Sequence, residues 1–210
     1  MLLSVRPSMR YSAALCALLW LPGLLLRPFA APTAADTPPP KLTPPQEAPS
    51  ISATDVLGQP ISREGLRGRR VLLSFMRDAG CPICELRLAH LATRADSLKG
   101  ANTRVVLVYE SDATTMRQYL VDKDLPFTFV ADPDGALHDL FGLEKSLAKV
   151  ALGFVKGVNK QIKAGKKLQT QEISREGAEK TRITADFIID ENGFVQRAYY
   201  GKYLGDHMRL

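Results

Sequence analysis

The residues best suited to chemistry are two cysteines, Cys81 and Cys84, which stand three positions apart where an apolar run gives way to a helix-like pattern. A cysteine attacks as its thiolate, and the thiol of a free cysteine has a pKa of about 8.5. At the first turn of a helix, unpaired backbone N–H groups and the helix dipole favour the anion and lower that pKa. The order strand, Cys-x-x-Cys, helix therefore predicts one nucleophilic sulfur with a second sulfur within reach.

Two sulfurs at this spacing can run a disulfide cycle. Once the first sulfur is oxidised, or has bonded to a substrate sulfur, the second can close a disulfide and release the product. A purely structural disulfide is a poorer interpretation, because a bridge across so short a loop constrains the unfolded chain little. Half of a zinc site is a further alternative, but tetrahedral zinc needs two more ligands and the chain has no second cysteine pair. We therefore predict no metal site.

Strand and helix patterns alternate around the pair. Residues 71–76 and 103–109 are continuous apolar runs, typical of strands buried on both faces, and residues 85–98 have helical spacing of apolar side chains. A third strand over 127–130 and a hairpin over 186–200, which turns at an Asn-Gly pair, follow. This order predicts an α/β fold with βαβ units, in which helices flank a central mixed sheet.

The beginning of the chain has a different composition. Arg6 and Arg10 precede an apolar stretch over 13–26, small residues follow, and no acid occurs before Asp36. This pattern predicts a secretory signal peptide over residues 1–35, cleaved after Ala35, with an uncleaved membrane anchor as the alternative. We therefore expect an exported protein, periplasmic or otherwise outside the cytoplasm.

The signal and the segment after it define the domain boundaries. Residues 36–50 are rich in proline and lack apolar periodicity, which predicts an extended linker, and residues 51–210 form one domain. Cys16 would leave with the signal, so the mature chain would hold only Cys81 and Cys84. The formal net charge would fall from +6 to +3 because three arginines leave, which is too small to indicate nucleic-acid binding.

The segment 145–182 is strongly basic, with ten basic residues against Glu172, Glu176 and Glu179, a net charge of +7. Its apolar residues from Leu147 to Ile162 fall on one helical stripe, which predicts an inserted amphipathic helix before the last hairpin. Three interpretations stay open: a helix docked on the core with a solvated basic face, a helix lying on an anionic membrane surface, and a helix that docks a partner.

Four motifs, in this order and spacing, resemble the peroxiredoxin-like (AhpC/TSA) branch of the thioredoxin-like superfamily. They are Gly58-Gln59-Pro60-Ile61-Ser62, the run from Leu73 to Cys84, Ala131-Asp132-Pro133-Asp134-Gly135, and the run from Asp186 to Gly193. The resemblance implies a thioredoxin fold without a cofactor and thiol-based reduction, often of peroxides. A thioredoxin fold also has a helix after the hairpin, where only residues 201–210 remain. We expect the basic helix, or a partner chain, to cover the sheet face left open.

The resemblance leaves the attacking sulfur open. Counting back from Cys84, the proline and the threonine or serine of typical peroxiredoxins are replaced by Arg77 and Cys81. Alignment with peroxiredoxins makes Cys84 the attacker, whereas analogy with thioredoxin makes it Cys81. Arg77 and Arg87 are predicted as further catalytic residues, because a fixed guanidinium could stabilise a thiolate or a developing oxyanion. The alternative for both arginines is a solvated surface charge.

Three functions are consistent with these residues. The first is an exported antioxidant oxidoreductase that reduces peroxides through a Cys-x-x-Cys cycle, reset by an external dithiol. The second keeps the same cysteines but acts on protein disulfides. The third is a non-enzymatic metal carrier or adaptor of thioredoxin fold. The sequence leaves the oligomeric state open.

Overall fold

The computed structural model describes residues 40–210, so the predicted signal peptide and the start of the predicted linker lie outside the described residues. The helices are α1 (Arg63–Leu66), α2 (Pro82–Ala92), α3 (Ala95–Gly100), α4 (Ala113–Leu120), α5 (Ala136–Leu140), α6 (Leu147–Val155) and α7 (Val158–Leu168). The strands are β1 (Gln46–Glu47), β2 (Ser52–Thr54), β3 (Pro60–Ser62), β4 (Arg70–Phe75), β5 (Thr103–Tyr109), β6 (Thr128–Ala131), β7 (Ala185–Ile189) and β8 (Phe194–Tyr200).

Six strands form one mixed sheet in the order β1-β8-β7-β4-β5-β6. β4, β5 and β6 run parallel, whereas β7 is antiparallel to β4, and β8 is antiparallel to both β7 and β1. β4 is central, which explains its unbroken apolar sequence, because both of its faces are buried. The predicted mixed α/β sheet flanked by helices is confirmed.

The side chains of β4 alternate between two hydrophobic cores. Leu72 packs in the core that also contains Leu88 of α2, and Leu73 packs in the opposite core with Phe187. This alternation is the period of two expected of a strand. The first core also contains both cysteines, so the pair lies on the α2 side of the sheet.

The segment predicted as an extended linker, residues 36–50, is partly structured. From residue 40 onward it packs on the domain: β1 adds an edge strand to β8, and Ala48 is buried. The backbone N–H of Leu42 also donates a 2.7 Å hydrogen bond to the hydroxyl of Tyr200. Edge pairing uses backbone groups, which need no apolar periodicity, so composition alone does not reveal it.

Two predicted helices are each divided in the structure. Residues 85–98 cover most of α2 and most of α3. The two helices are separated at Thr93, whose hydroxyl donates to the carbonyl of His90 at the end of α2. The single inserted amphipathic helix is in fact α6 followed by α7, separated at Gly157, whose φ of 84° lies in the left-handed region that ends helices.

α7 packs closely against the beginning of α2. A Cβ atom at Gly165 would lie 1.7 Å from the carbonyl oxygen of Pro82, so these two helices touch through their backbones. Val158 of α7 and two residues of the C-terminal segment, Leu204 and Met208, complete the core on the α2 side. α7 and this segment therefore cover part of the face for which the sequence predicts cover by the basic helix or a partner chain.

None of the helices within residues 40–210 is both long and apolar enough to cross a lipid bilayer.

Candidate active site

The two cysteines lie at the beginning of α2, shortly after the central strand β4 ends. β4 ends at Phe75, Cys81 is the N-cap of α2, and Pro82 occupies its first turn, where a missing N–H group costs nothing. Both cysteines are free thiols, and each is only 1% exposed. The structure thus places the sulfurs at a helix N-terminus, as predicted, but buries them.

The two thiols differ in acidity. The pKa of Cys81 is lowered to about 7, chiefly by a hydrogen bond from the Cys84 thiol and also by the positive charge of Arg77, against the opposing effect of burial. Burial raises the pKa of Cys84 well above its ordinary value, and so does its interaction with Cys81. These shifts favour the thiolate on Cys81 and the protonated thiol on Cys84.

Arg77 lies beside the pair and is itself buried. Its backbone N–H donates to the Cys84 sulfur at 3.3 Å, and its guanidinium donates to the carbonyl of Lys180 at 2.8 Å. Its Nε has no hydrogen-bond partner within residues 40–210. The charge of Arg77 therefore acts on the cysteines, and its guanidinium also binds the backbone of a loop about a hundred residues later in the sequence.

That loop, residues 169–180, is here called the strap because it crosses over the cysteine pair. Gln169 donates to the carbonyl of Gly80 at 3.0 Å, and the Ile173 side chain packs in the core that contains both cysteines. At Gly80 a Cβ would meet Arg175 and the Ile173 carbonyl within 2.7 Å, so the strap touches the cysteine loop. The strap helps to explain why both sulfurs are shielded from solvent.

A bidentate ion pair anchors the strap. Arg175 donates to the two carboxylate oxygens of Asp78 at 2.6 and 2.7 Å, and Asp78 is buried. Because Asp78 raises the pKa of both thiols, the guanidinium of Arg175 offsets a charge that opposes thiolate formation. Hydrogen bonding to Asp78 in turn raises the pKa of Arg175 above its ordinary value.

A cavity of about 480 Å³ lies between the strap and the cysteine loop. Gly80 and Pro82, the two neighbours of Cys81, line one side, and Gln169 and Arg175 line another. Neither Cys81 nor Cys84 lines this cavity.

Arg87, the other arginine predicted as catalytic, belongs to a different cluster. Its guanidinium donates to the Met208 carbonyl at 3.0 Å and to the fully buried Asp186 carboxylate at 3.3 Å. Asp186 also accepts hydrogen bonds from the Ser74 hydroxyl and the backbone N–H of Met208, and pairs with His207. The charge of Arg87 is thus engaged by Asp186 and the tail, and its catalytic role stays a prediction.

Sequence reasoning missed two further buried clusters at the ends of the parallel strands. Arg182, only 2% exposed, pairs with Glu110 after β5 and with Asp139 of α5. His138 bridges the Asp132 carboxylate and the Met76 carbonyl at 2.6 and 2.8 Å. The motif that contains Asp132 was recognised, but the Met76 carbonyl lies 62 positions from His138, and the carboxylates of Asp139 and Glu110 lie 43 and 72 positions from Arg182. Both clusters fix the loops that follow β4, β5 and β6.

Within residues 40–210, no three side chains of histidine, cysteine, aspartate or glutamate cluster in a way that could hold a metal ion.

Comparison with known proteins supplies the family. A model of the AhpC/TSA family matches residues 44–198. Over 101 residues the chain is 29% identical to peroxiredoxin Bcp of Escherichia coli, an overlap of 47% of this chain and 65% of the relative. The chain thus spans less than two thirds of the length of the curated relatives that it matches.

Solved structures show the same fold at low sequence identity. Peroxidoxin BcpB from Mycobacterium tuberculosis superposes with a TM-score of 0.56 at 15% identity, covering 77% of this chain and 88% of that one. A Chlorobium tepidum protein described as the thiol:disulfide interchange protein DsbE superposes with a TM-score of 0.52 at 18% identity, covering 76% and 86%. Both likenesses support the predicted thioredoxin-like fold.

Proposed function

The chain belongs to the AhpC/TSA family, and from that premise we propose that it reduces peroxides through a dithiol–disulfide cycle of Cys81 and Cys84. The observation that carries this proposal is the unequal acidity of the pair: the pKa of Cys81 is lowered to about 7, whereas that of Cys84 is raised. One sulfur is a nucleophile at neutral pH, and its neighbour is a proton-bearing thiol ready for the second step.

The oxidative half of the cycle has two steps. The Cys81 thiolate attacks one peroxide oxygen and the O–O bond breaks, which yields a sulfenic acid on Cys81 and an alkoxide that takes up a proton to leave as an alcohol, or as water from hydrogen peroxide. The Cys84 sulfur then attacks the Cys81 sulfur, loses its proton, and expels water as the disulfide forms. Two thiols have then been oxidised for each peroxide reduced.

The two arginines have separate roles in this proposal. Arg77 stabilises the Cys81 thiolate, because it is the nearby cation whose charge lowers the pKa of Cys81. Arg87 is a positioning residue that fixes α2 to Asp186 and to the tail.

An external dithiol completes the cycle by reducing the Cys81–Cys84 disulfide and leaving as a disulfide itself. Because both sulfurs are 1% exposed, a protein dithiol would reach them only after the strap moves. The proposed place of action is outside the cytoplasm, with the N-terminal segment as a signal peptide or as an anchor, and the support for this is the composition of residues 1–35.

Exchange with protein disulfides is the second candidate. The acidity of Cys81, the first cysteine of the motif, favours it, because this is the cysteine that attacks by analogy with thioredoxin. The burial of both sulfurs opposes it, since a protein disulfide is far larger than a peroxide.

Stopped-flow mixing of the reduced protein with hydrogen peroxide separates the two candidates. We expect loss of both thiols with one equivalent of peroxide, at a rate well above that of free cysteine at the same pH. If peroxide reacts no faster than with free cysteine, while a dithiol–disulfide couple exchanges rapidly, the peroxidase proposal is wrong and the second candidate replaces it.

A further inference from the structure

We propose that α6 and α7 form a surface that binds anionic lipid membranes, with apolar side chains of α6 entering the interface and lysines of α7 facing the lipid headgroups. This proposal is independent of the peroxidase chemistry. It arises from a helix whose apolar side faces outward.

The outward side of α6 is apolar throughout. Its exposed residues, here called the α6 face, are Leu147, Ala148, Ala151, Leu152, Phe154 and Val155. Val155 is 82% exposed, Leu147 is 74% exposed and Phe154 is 47% exposed. A surface helix normally buries its apolar stripe, and contiguous exposed apolar patches mark sites of interaction.

Close packing fixes this orientation of α6. Gly153 is buried, and a Cβ at that position would lie 2.7 Å from the Cβ of Leu204 and 2.9 Å from the Leu204 carbonyl. The backbone N–H of Leu204 also donates to the Lys149 carbonyl at 3.1 Å. The side of α6 that carries Gly153 therefore faces the C-terminal segment, which leaves the α6 face toward solvent.

The charge of the segment identifies the partner. Residues 145–171 contain seven lysines and no acid. Two of these lysines pair with glutamates just outside that range, Lys145 with Glu179 and Lys149 with Glu144. The other five make no salt bridge within residues 40–210, and all are exposed: Lys156, Lys160, Lys163, Lys166 and Lys167.

An anionic bilayer is the partner that uses both features. Apolar side chains gain by leaving water for the acyl boundary, and each lysine gains by approaching anionic headgroups. A nucleic acid would use the lysines but not the α6 face, and a second copy of this chain would bring the same lysines together. An uncleaved N-terminal anchor, the alternative to a cleaved signal peptide, would also hold the domain next to a membrane.

The test measures the fluorescence of a single tryptophan placed on α6 in the full chain. Trp20 is the only tryptophan, so Trp20→Phe combined with Phe154→Trp leaves a single indole on α6. Vesicles of phosphatidylglycerol and phosphatidylcholine should shift its emission to the blue, and brominated lipids should quench it. Phosphatidylcholine vesicles alone should have little effect. The matched control is Trp20→Phe with Phe194→Trp, because Phe194 on β8 is similarly exposed, at 43%, but lies outside the surface.

Replacing lysines of α7 tests whether their charge contributes to membrane binding. Lys160→Gln, Lys163→Gln and Lys167→Gln together should weaken the response of the residue-154 reporter to anionic vesicles by roughly a hundredfold. The proposal is overturned if that reporter does not respond to vesicles, if it responds equally to neutral ones, or if the residue-194 reporter responds as strongly. A blue shift that depends on protein concentration and not on lipid would instead assign the α6 face to contact between copies.

Discussion

At the scale of single residues, the proposed chemistry rests on the unequal acidity of two neighbouring thiols. Cys81 and Cys84 lie on the same helix turn and are equally buried, but a hydrogen bond and the charge of Arg77 lower the pKa of Cys81, whereas burial and the interaction with Cys81 raise that of Cys84. A preference for Cys81 as the attacker therefore comes from its surroundings. The sequence left the choice open because the two cysteines are identical in type, and their surroundings include residues about a hundred positions away.

The first prediction concerns Arg77. Replacement by glutamine removes the cation that favours the Cys81 thiolate, so the pKa of Cys81 should rise from about 7 by about one unit. The measurement is the pH dependence of Cys81 alkylation by iodoacetamide, whose inflection reports the pKa. Arg77→Lys keeps the charge and should keep the inflection near its original value. An unchanged inflection in Arg77→Gln would show that the charge of Arg77 has no influence on the thiolate.

At the scale of elements, the strap decides what can reach the sulfurs. Its anchors, Gln169, Arg175 and the carbonyl of Lys180, lie about a hundred residues after the cysteine loop that they touch. No local pattern predicts such contacts, so Asp78 had no assigned role in the sequence. The strands and the hairpin were predictable because each depends on local periodicity or on a turn signal.

The second prediction concerns the anchor of the strap. Arg175→Gln removes a charge-assisted hydrogen bond to Asp78 worth at least about 1.5 kcal/mol, so the strap should open about tenfold more often. The readout is the rate of Cys81 labelling by a bulky maleimide divided by the rate with iodoacetamide at the same pH, a ratio in which the thiolate fraction cancels. Arg117→Gln, on the surface of α4, is the control and should leave the ratio unchanged. An equal ratio in wild type and Arg175→Gln would contradict the gating role of the strap.

The third prediction concerns the contact between α7 and α2. Alanine is a better helix former than glycine by about 1 kcal/mol, yet Gly165→Ala should destabilise the protein by about 2 kcal/mol. The reason is that the new Cβ would overlap the Pro82 carbonyl. Urea unfolding measures the change. Gly100→Ala on α3 is the control, since a Cβ there would meet no atom within 4 Å, and it should be neutral or stabilising. Equal effects of the two substitutions would refute the close packing.

At the scale of the whole molecule, one buried carboxylate joins the sheet, α2 and the C-terminal segment. Asp186 of β7 accepts hydrogen bonds from Ser74 of β4, Arg87 of α2 and the backbone of Met208. Burial alone would raise its pKa, but His207 and Arg87 hold the pKa well below its usual range. The C-terminal segment is thus fixed to β7 and packs in the core on the α2 side of the sheet.

The fourth prediction follows from this cluster. Asp186→Asn leaves the Arg87 charge buried without its partner and should lower the free energy of unfolding by about 3 kcal/mol at pH 7. A carboxyl whose pKa is depressed by folding stabilises above its unfolded pKa of about 3.9, and loses that contribution as the pH falls through its folded pKa. The difference between wild type and Asp186→Asn in urea unfolding should therefore shrink below about pH 4. A difference that stays constant with pH would contradict this assignment.

The fold class and the cysteine pair were predictable, because both depend on residues close together in sequence. The proline-rich stretch before the domain core and the basic segment inserted before the last hairpin were less predictable. The edge strand β1 forms within a proline-rich stretch, and the basic segment turns the apolar side of α6 outward. Tertiary contacts override the local pattern in both: pairing with β8 for β1, and the contact of Gly153 with Leu204 for α6.

The measurement that most directly tests the account is sulfenic acid trapping in the single-cysteine variants. Reduced Cys84→Ser and Cys81→Ser would each be mixed with one equivalent of hydrogen peroxide in the presence of dimedone, and the labelled residue located by mass spectrometry. The account predicts an adduct on Cys81 in Cys84→Ser and little or none in Cys81→Ser. An adduct on Cys84 in Cys81→Ser, with none on Cys81 in the other variant, would contradict it.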